Sequence, residues 1–412
     1  MQAALRSRSF RLLWLGQSVS LIGDALVIVA IGLFVTRLTG DPGDVGVVLA
    51  AYSVPLVLFV LLGGVVADRL PRQWVMVAAD TVRGTVHLTL AVLIVTGWVR
   101  IWHMVVIGVV FGASQAFFQP AYTGLVPQTV PESDIQSAQA LGGVSRELAS
   151  FVGPALATFL VLTVGGAAAF ALDGVTFAIS ALTLLGVQAR QRGTPGERSG
   201  LLTELREGWT ATRERGWVWA TIAAFSLAIL VALGPFFVLG PAVSRHVYGT
   251  DAVYGITNAM WGVGTVAGTL IGGWLRPRRP MLVGVLVGAF WPAQIAVFAA
   301  GPPPALLYPF TILAGMGLGV FAVAWETALA QRIPAHLLSR VSAWDWMGSL
   351  ALLPVGYLLA GPVADLVGGV EVLLAGGVIG TVAILLALTP TSTRTLTRLD
   401  SRTATPEPQL QA

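Results

Sequence analysis

The sequence predicts an all-α integral membrane protein, with twelve transmembrane helices in two pseudo-symmetric six-helix bundles. Three observations lead there. The 412 residues are 55% hydrophobic and only 11% charged, against about 25% charged in a typical soluble domain, and the mean hydropathy is +0.80. Apolar stretches of about 20 residues, enough to cross a hydrocarbon core of about 30 Å, recur along the whole chain. The basic residues number 24, all arginine, and they collect in alternate loops.

The expected spans are 11–37, 44–67, 74–97, 101–125, 136–163, 166–188, 217–244, 252–275, 281–300, 304–330, 341–366 and 370–390. Most connections are short and hold Pro, Gly, Asp and Arg, the usual helix breakers. The longest, 189–216, is polar and separates an N-terminal bundle (1–188) from a C-terminal bundle (217–390). Within it, LLTELREGWTATRER suits a short amphipathic helix on the membrane surface. Residues 391–412 are rich in Thr, Ser and Pro and are expected to form a disordered tail. The N-terminal MQAALRSRSF runs into the first span without a small-residue cleavage site, so it is read as the start of that span. With both termini in the cytoplasm, nineteen arginines fall inside and three, Arg37, Arg100 and Arg245, fall outside. Arg83 and Arg146 lie within spans. This asymmetry predicts a multi-pass protein of the plasma membrane with both termini cytoplasmic.

Composition excludes several functions. There are no cysteines and only four histidines, so disulfides and thiolate metal sites are ruled out and no metal site is expected. Without lysine no GxxxxGK[ST] loop exists, which removes direct ATP drive within the chain. No hydrolase triad is evident, and neither an enzyme nor a cofactor is expected. The net charge of +4 sits in short loops as a topology signal, so nucleic acid is not an expected partner. The expected partners are a small-molecule substrate, protons and the lipid bilayer, with the chain as a monomer.

The halves repeat weakly. Gly46 corresponds to Gly255, Gly63-Gly64 to Gly272-Gly273, and Arg69 to Arg278, all at an offset of 209. Two related halves with a site at their interface are the architecture of a rocking transporter. Residues 63–72 read GGVVADRLPR, an acid and two arginines between two apolar runs. The second-half counterpart, GGWLRPRRP, has lost the acid.

GVVADRLPR resembles the loop signature GxLADrxGrk between spans 2 and 3 of the major facilitator superfamily. Gly64, Ala67, Asp68, Arg69 and Arg72 fit, while Pro71 stands where the pattern has Gly and Gln73 where it has a base. FRLLWLGQSVSLIGDAL (10–26), AYTGLVPQTVPESDIQSAQAL (121–141) and Gly153-Pro154 are similar to the macrolide-efflux-like and siderophore-exporter-like branch. The span 5 antiporter signature is incomplete, with Ala157 and Thr158 in place of a glycine pair. The resemblance implies that the loop between spans 2 and 3 packs against the start of span 11 when the inside is closed. Asp68, Arg69 and Arg72 would then form a cytoplasmic gate with Glu326 and Asp345. Trp325, Trp344 and Trp346 flank these acids, which also fits an interfacial aromatic belt with surface ion pairs.

Ionisable groups within spans are costly, so each is a functional candidate. Asp24 lies about 20 Å from Phe10 at a rise of about 1.5 Å per residue, near mid-span. It suits a proton carrier, or a permanently ionised partner of an arginine. Gln17, Ser20 and Asp24 share a helical face. Asp80, Arg83 and His87 stack on one face of span 3; Asp80–Arg83 reads as a structural ion pair, Arg83 can also reach Asp24 or Asp68, and His87 reads as a hydrogen-bonded filler rather than a relay. Arg146 and Glu147 are adjacent in span 5 and point about 100° apart, so they serve either transport or an inter-helix salt bridge. The proton-coupling candidates are therefore Asp24, Arg83, Arg146 and Glu147. Asp173 falls toward the outer end of span 6 and reads as an outer gate or packing contact. Substrate-cavity candidates are Gln17, Gln115, Phe118, Tyr122, Asn258 and Trp261, with Gln119 and Gln294 beside them. Gly264, Gly268 and Gly272 form a stripe for close helix packing.

The expected function is a secondary active exporter of bulky amphipathic, drug-like or macrolide-like compounds, in exchange for protons, by alternating access. A dedicated exporter of one native product, such as a siderophore or antibiotic, is the alternative. A non-transporting scaffold or sensor and an uptake symporter complete the set.

Overall fold

The computed structural model describes residues 4–188, 201–275 and 277–398. Among these, ten helices are long and apolar enough to cross a membrane. Two further helices pack among them. Ala252–Trp274 is diluted by glycine, threonine and asparagine, and Ala335–Val367 has its described apolar stretch at Ala351–Val367. Together they give the twelve spans: Arg8–Thr39, Pro42–Arg69, Arg72–Val95, Ile101–Thr129, Ile135–Phe159, Gly166–Leu185, Gly216–Tyr248, Ala252–Trp274, Pro280–Ala300, Pro304–Arg332, Ala335–Val367 and Gly369–Leu386.

Local chemistry sets the boundaries. Ser7 caps span 1 by accepting from the Phe10 amide at 3.3 Å, and Gly40 ends the helix at φ 75°. Asp41 caps span 2 with Pro42 at its first position. Spans 2 and 3 are joined by Leu70 and Pro71 alone. Pro71 has φ −58° and ψ 115° and takes the N-cap position of span 3. Its ring prefers that φ and it lacks only an amide the helix start does not need. The replacement of the family's glycine by proline therefore fits the turn. Span 5 runs on into a π-turn, Leu160–Val164, and span 7 contains one at Ile229–Leu233. Span 9 is broken between Gly288 and Phe290, four residues before Pro292, whose missing amide cannot bond back to Gly288.

Glycines set the helix spacing. A Cβ on Gly63 or Gly112 would lie 2.1 Å from a carbonyl oxygen of the facing helix, Ala116 or Tyr52 respectively, so spans 2 and 4 touch backbone to backbone. Spans 8 and 10 repeat this: Gly264 faces Ile312 O and Gly268 faces Met316 O, both at 2.1 Å, while Gly315 faces Trp261 O at 2.3 Å. The stripe of small residues is thus a packing seam. The 209-residue repeat also has a spatial meaning. Gly46 of span 2 abuts the Tyr357 carbonyl of span 11, and Gly255 of span 8 abuts Thr158 of span 5. These are the two most extensive crossings between the halves, beside smaller ones of spans 1 and 2 with span 7.

The apolar core is continuous at one end and divided at the other. Leu26, Val45, Phe170, Phe236, Tyr254 and Tyr357 belong to one cluster shared by both halves. Toward the arginine-rich end, Phe10, Met76, Leu125 and Leu184 form a core of the first half alone. Trp217, Met281, Phe321 and Trp325 form a separate core in the second half. The halves therefore meet at the end remote from the arginine-rich loops and part toward those loops. Arg37 of span 1 donates to Asp251, ahead of span 8, at 2.8 Å, and Arg245 donates to the same carboxylate at 2.9 Å.

The linker segment forms a helix, Leu201–Glu214, whose Trp209 ring lies 4.9 Å from Trp344 of span 11. The start of the expected disordered tail, residues 391–398, is described. Thr391–Thr395 is a helical turn with Thr393 fully buried, and the Arg398 amide bonds the Arg278 carbonyl at 3.2 Å. Backbone pairing gives this stretch the partners that its composition did not suggest. Residues 189–200 and 399–412 lie outside the described residues.

Candidate functional site: a buried charge cluster in the first half

Span 3 organises the site. Asp80, Arg83 and His87 stack along one face, and all three are fully buried. Arg83 donates to Asp80 on its own helix and to Gln115 of span 4, and its Nη1 lies 3.6 Å from Asp24 of span 1. Its guanidinium carbon sits 4.2 Å from the ring centroids of both Phe118 and Phe177. A cation held between two rings and three oxygens is well compensated for its burial. Asp80 also accepts from Ser180 of span 6 at 2.6 Å, and Ser180 accepts from Gln17 at 2.7 Å. Asp24 retains 26% side-chain exposure, which makes it the open edge of this group.

One turn further along span 3, His87 Nδ1 pairs with Asp173 of span 6, and Nε2 lies 3.0 Å from the Tyr52 hydroxyl of span 2. Phe111 stacks on the imidazole at 4.5 Å and 12°. Asp173 presses on Gly23: a Cβ there would fall 2.1 Å from Oδ1. Asp173 is thus neighbour to Asp24 across Gly23, a residue of span 1 that has no side chain. The outer-gate reading of Asp173 is corrected, because it is fully buried and committed to His87. Its i, i+3 and i+7 relation to Thr176 and Ser180 on one face of span 6 is the pattern that sequence inspection overlooked.

The remaining expectations divide. Gln17 is 5% exposed and turned to Ser180, so it is a support inside the bundle and not a cavity wall. Gln115 is held by Arg83, and Phe118 is 4% exposed beneath the same group. Tyr122, stacked on Phe118 at 6.2 Å, lies on the half-buried side. Asn258 bonds the Tyr254 carbonyl at 2.9 Å and, with Trp261, Trp291 and Gln294, lines a small cavity of about 10 Å³ in the second half. Arg146 is exposed, Glu147 is half-buried, and no ion pair joins them among the described residues. At the arginine-rich end, Arg72 donates to the carbonyls of Ala67 and Gly124 at 3.3 and 2.9 Å, and Arg69 is exposed. Asp345 accepts from Trp325 Nε1 at 2.9 Å, and Glu326 is exposed. These bonds of Arg72 and Asp345 stay within their own halves, and the Asp68 side chain lies outside the described residues.

A bundle of membrane helices in two repeated halves, joined at one end and carrying buried charge, defines a membrane transporter. The chain belongs to the Major Facilitator Superfamily, whose sequence model matches residues 13–351. Macrolide efflux protein A of Streptococcus pyogenes is 24% identical over 365 residues, covering 87% of this chain and 90% of the relative. Multidrug efflux pump Tap of Mycolicibacterium fortuitum is 26% identical over 362 residues, covering 84% and 87%. Among solved structures, a bacterial homolog of the human lysosomal transporter Spinster, in an inward-facing conformation, has a TM-score of 0.72 at 14% identity, covering 95% of this chain and 98% of that one. The nucleoside transporter NupG has a TM-score of 0.70 at 14% identity, covering 92% and 98%. At these identities the structural likeness speaks for the fold alone.

Proposed function

We propose that this protein exports bulky amphipathic compounds from the cell in exchange for protons, by alternating access. The substrate class follows the curated relatives, macrolide and multidrug efflux proteins. The observation that carries proton exchange is the composition of the buried cluster. Three carboxylates, Asp24, Asp80 and Asp173, share it with one guanidinium and one imidazole. An excess of buried negative charge is expensive in hydrocarbon, so the cluster must hold a proton in at least part of the cycle. Asp24, its exposed edge, is placed to exchange that proton with solvent and with a substrate.

The arginine distribution supports termini in the cytoplasm, which makes the closed end extracellular and the open end cytoplasmic. Asp68, Arg69 and Arg72 would meet Glu326 and Asp345 once the inner end closes and the Arg37–Asp251 contact has parted. Arg146, Glu147 and Tyr122 would then line the path of the substrate. The test is export of erythromycin, tetracycline and ethidium from a host lacking its own pumps, with and without a protonophore. Export that stops with the protonophore is expected; export that continues after the gradient collapses refutes proton coupling.

A further inference from the structure

In the scheme above Asp173 and His87 contribute only charge to the cluster, yet they also form a closed pair of their own. Both residues are fully buried. Phe111 covers one face of the imidazole, and Phe170 and Phe177 approach it at 5.7 and 6.3 Å. Both ring nitrogens are engaged, Nδ1 by Asp173 and Nε2 by Tyr52. A filler histidine needs one partner. This one joins an acid on span 6 to a hydroxyl on span 2, inside an aromatic sleeve.

We propose that Asp173 and His87 form a second proton-binding site, with Tyr52 as its link toward the extracellular end. The proposal rests on the proton-coupled reading and adds to it a site apart from Asp24. In the empty state the imidazole is neutral, with Nδ1–H donated to an ionised Asp173 and Nε2 accepting from Tyr52. A proton arriving along the Tyr52 side bonds to Nε2. The Nδ1–H bond breaks, and that proton forms an O–H bond on Asp173 Oδ2. The imidazole is again neutral, in its other tautomer, and the pair has gone from one negative charge to none. The Tyr52 hydroxyl turns from donor to acceptor of the new Nε2–H, no other covalent bond changes, and no further reactant is required. Imidazole is the side chain best suited to this exchange near neutral pH.

The groups facing the pair are Asp24 from span 1, Tyr52 from span 2, Asp80 and Arg83 from span 3, and Thr176 from span 6. Span 4 presents the Phe111 ring. Span 5, which carries Arg146 and Glu147, packs on span 1. Neutralising Asp173 removes the negative charge that faces Asp24 across Gly23. Occupancy of the second site therefore sets how readily Asp24 stays ionised and paired with Arg83.

The test needs no substrate. Infrared difference spectra of the full chain in liposomes are recorded between about pH 5 and about pH 8, with isotope-labelled histidine. The expected spectrum contains a carboxylic-acid carbonyl band together with imidazole tautomer bands. Asp173→Asn should remove that carbonyl band, His87→Gln should move the pH at which it appears, and Asp24→Asn should leave it in place. Tyr52→Phe, which keeps the ring and so the packing, should also move that pH. Spectra unchanged in Asp173→Asn, or in Tyr52→Phe should the buried variants not fold, overturn the proposal. A band that depends on Asp173, alongside export indifferent to a protonophore, upholds the site and rejects proton-coupled export.

Discussion

Replacing Arg37 by glutamine should loosen the end at which the halves meet. Arg37 and Asp251 are the ion pair that joins the halves there, at 2.8 Å. The Arg37 side chain is 41% exposed and Asp251 only 4%, so solvent screens one side of the pair. Such a contact contributes about 1 kcal/mol. When the halves part, Asp251 keeps Arg245, which lies on its own half, so the loss on opening is the Arg37 contact alone. Removing it should raise the population of the open state about fivefold. The chain has no cysteines, so a single Val45→Cys, fully buried at this end, reports opening through its rate of labelling by a membrane-impermeant maleimide. Labelling should be about fivefold faster with Arg37→Gln, with a smaller difference at high salt. A rate unchanged by Arg37→Gln would refute the assignment of this pair as a latch. The pH dependence has a defined sign. Burial alone pushes the Asp251 carboxyl up, but hydrogen bonds from Arg245 and Arg37 outweigh it and hold it below the ordinary carboxylate range. The latch is then complete above about pH 4 and is lost only as pH falls through the lowered value. The labelling rate itself rises with pH because the thiolate is the reacting form, but the ratio of the Arg37→Gln rate to that of the parent should be flat between about pH 5 and 8, and a change in that ratio would implicate another group.

Two further outcomes concern close approaches. Gly23→Ala places a methyl 2.1 Å from Asp173 Oδ1 and 2.4 Å from Thr176 Oγ1. Overpacking of this kind costs about 1–3 kcal/mol and should lower the melting temperature of the purified protein, whereas a wild-type value would mean that Asp173 is not held where described. Gly268→Val should be worse, since its Cβ meets backbone atoms of Met316 at 2.1–2.7 Å and span 10 must move as a whole. Loss of monodisperse protein in detergent is the expected result, and normal yield and stability would count against the seam.

Hydropathy made the membrane spans legible because a helix in lipid must satisfy its own backbone and cover itself with apolar side chains. It was weakest at spans 8 and 11, where glycine and polar residues serve contacts with neighbouring helices. The ion pair Asp80–Arg83 was legible from spacing on one helix, and so was the reach of Arg83 to an acid on another. Asp173 was not. Its role depends on which helices are neighbours, and nothing in the period of span 6 states that span 3 lies against it. The partner of Gln17 was hidden for the same reason. Its helical face was assigned correctly alongside Asp24, but the facing partner turned out to be Ser180 and not a cavity. The ordered turn after Thr391 was hidden because backbone partners, unlike side chains, leave no mark in composition.

The two-residue connection at Leu70 and Pro71 has a mechanical meaning. It can reach only about 7 Å when extended, so span 2 cannot slide or tilt at that end without pulling span 3. Arg72 and Gln73 fasten the start of span 3 to the carbonyls of Gly124 and Leu184, which passes the same pull to spans 4 and 6. Span 3 is also the helix that presents Asp80, Arg83 and His87. The charged turn and the buried cluster sit on a single lever with no slack, and a displacement at one end of that lever is delivered to the other.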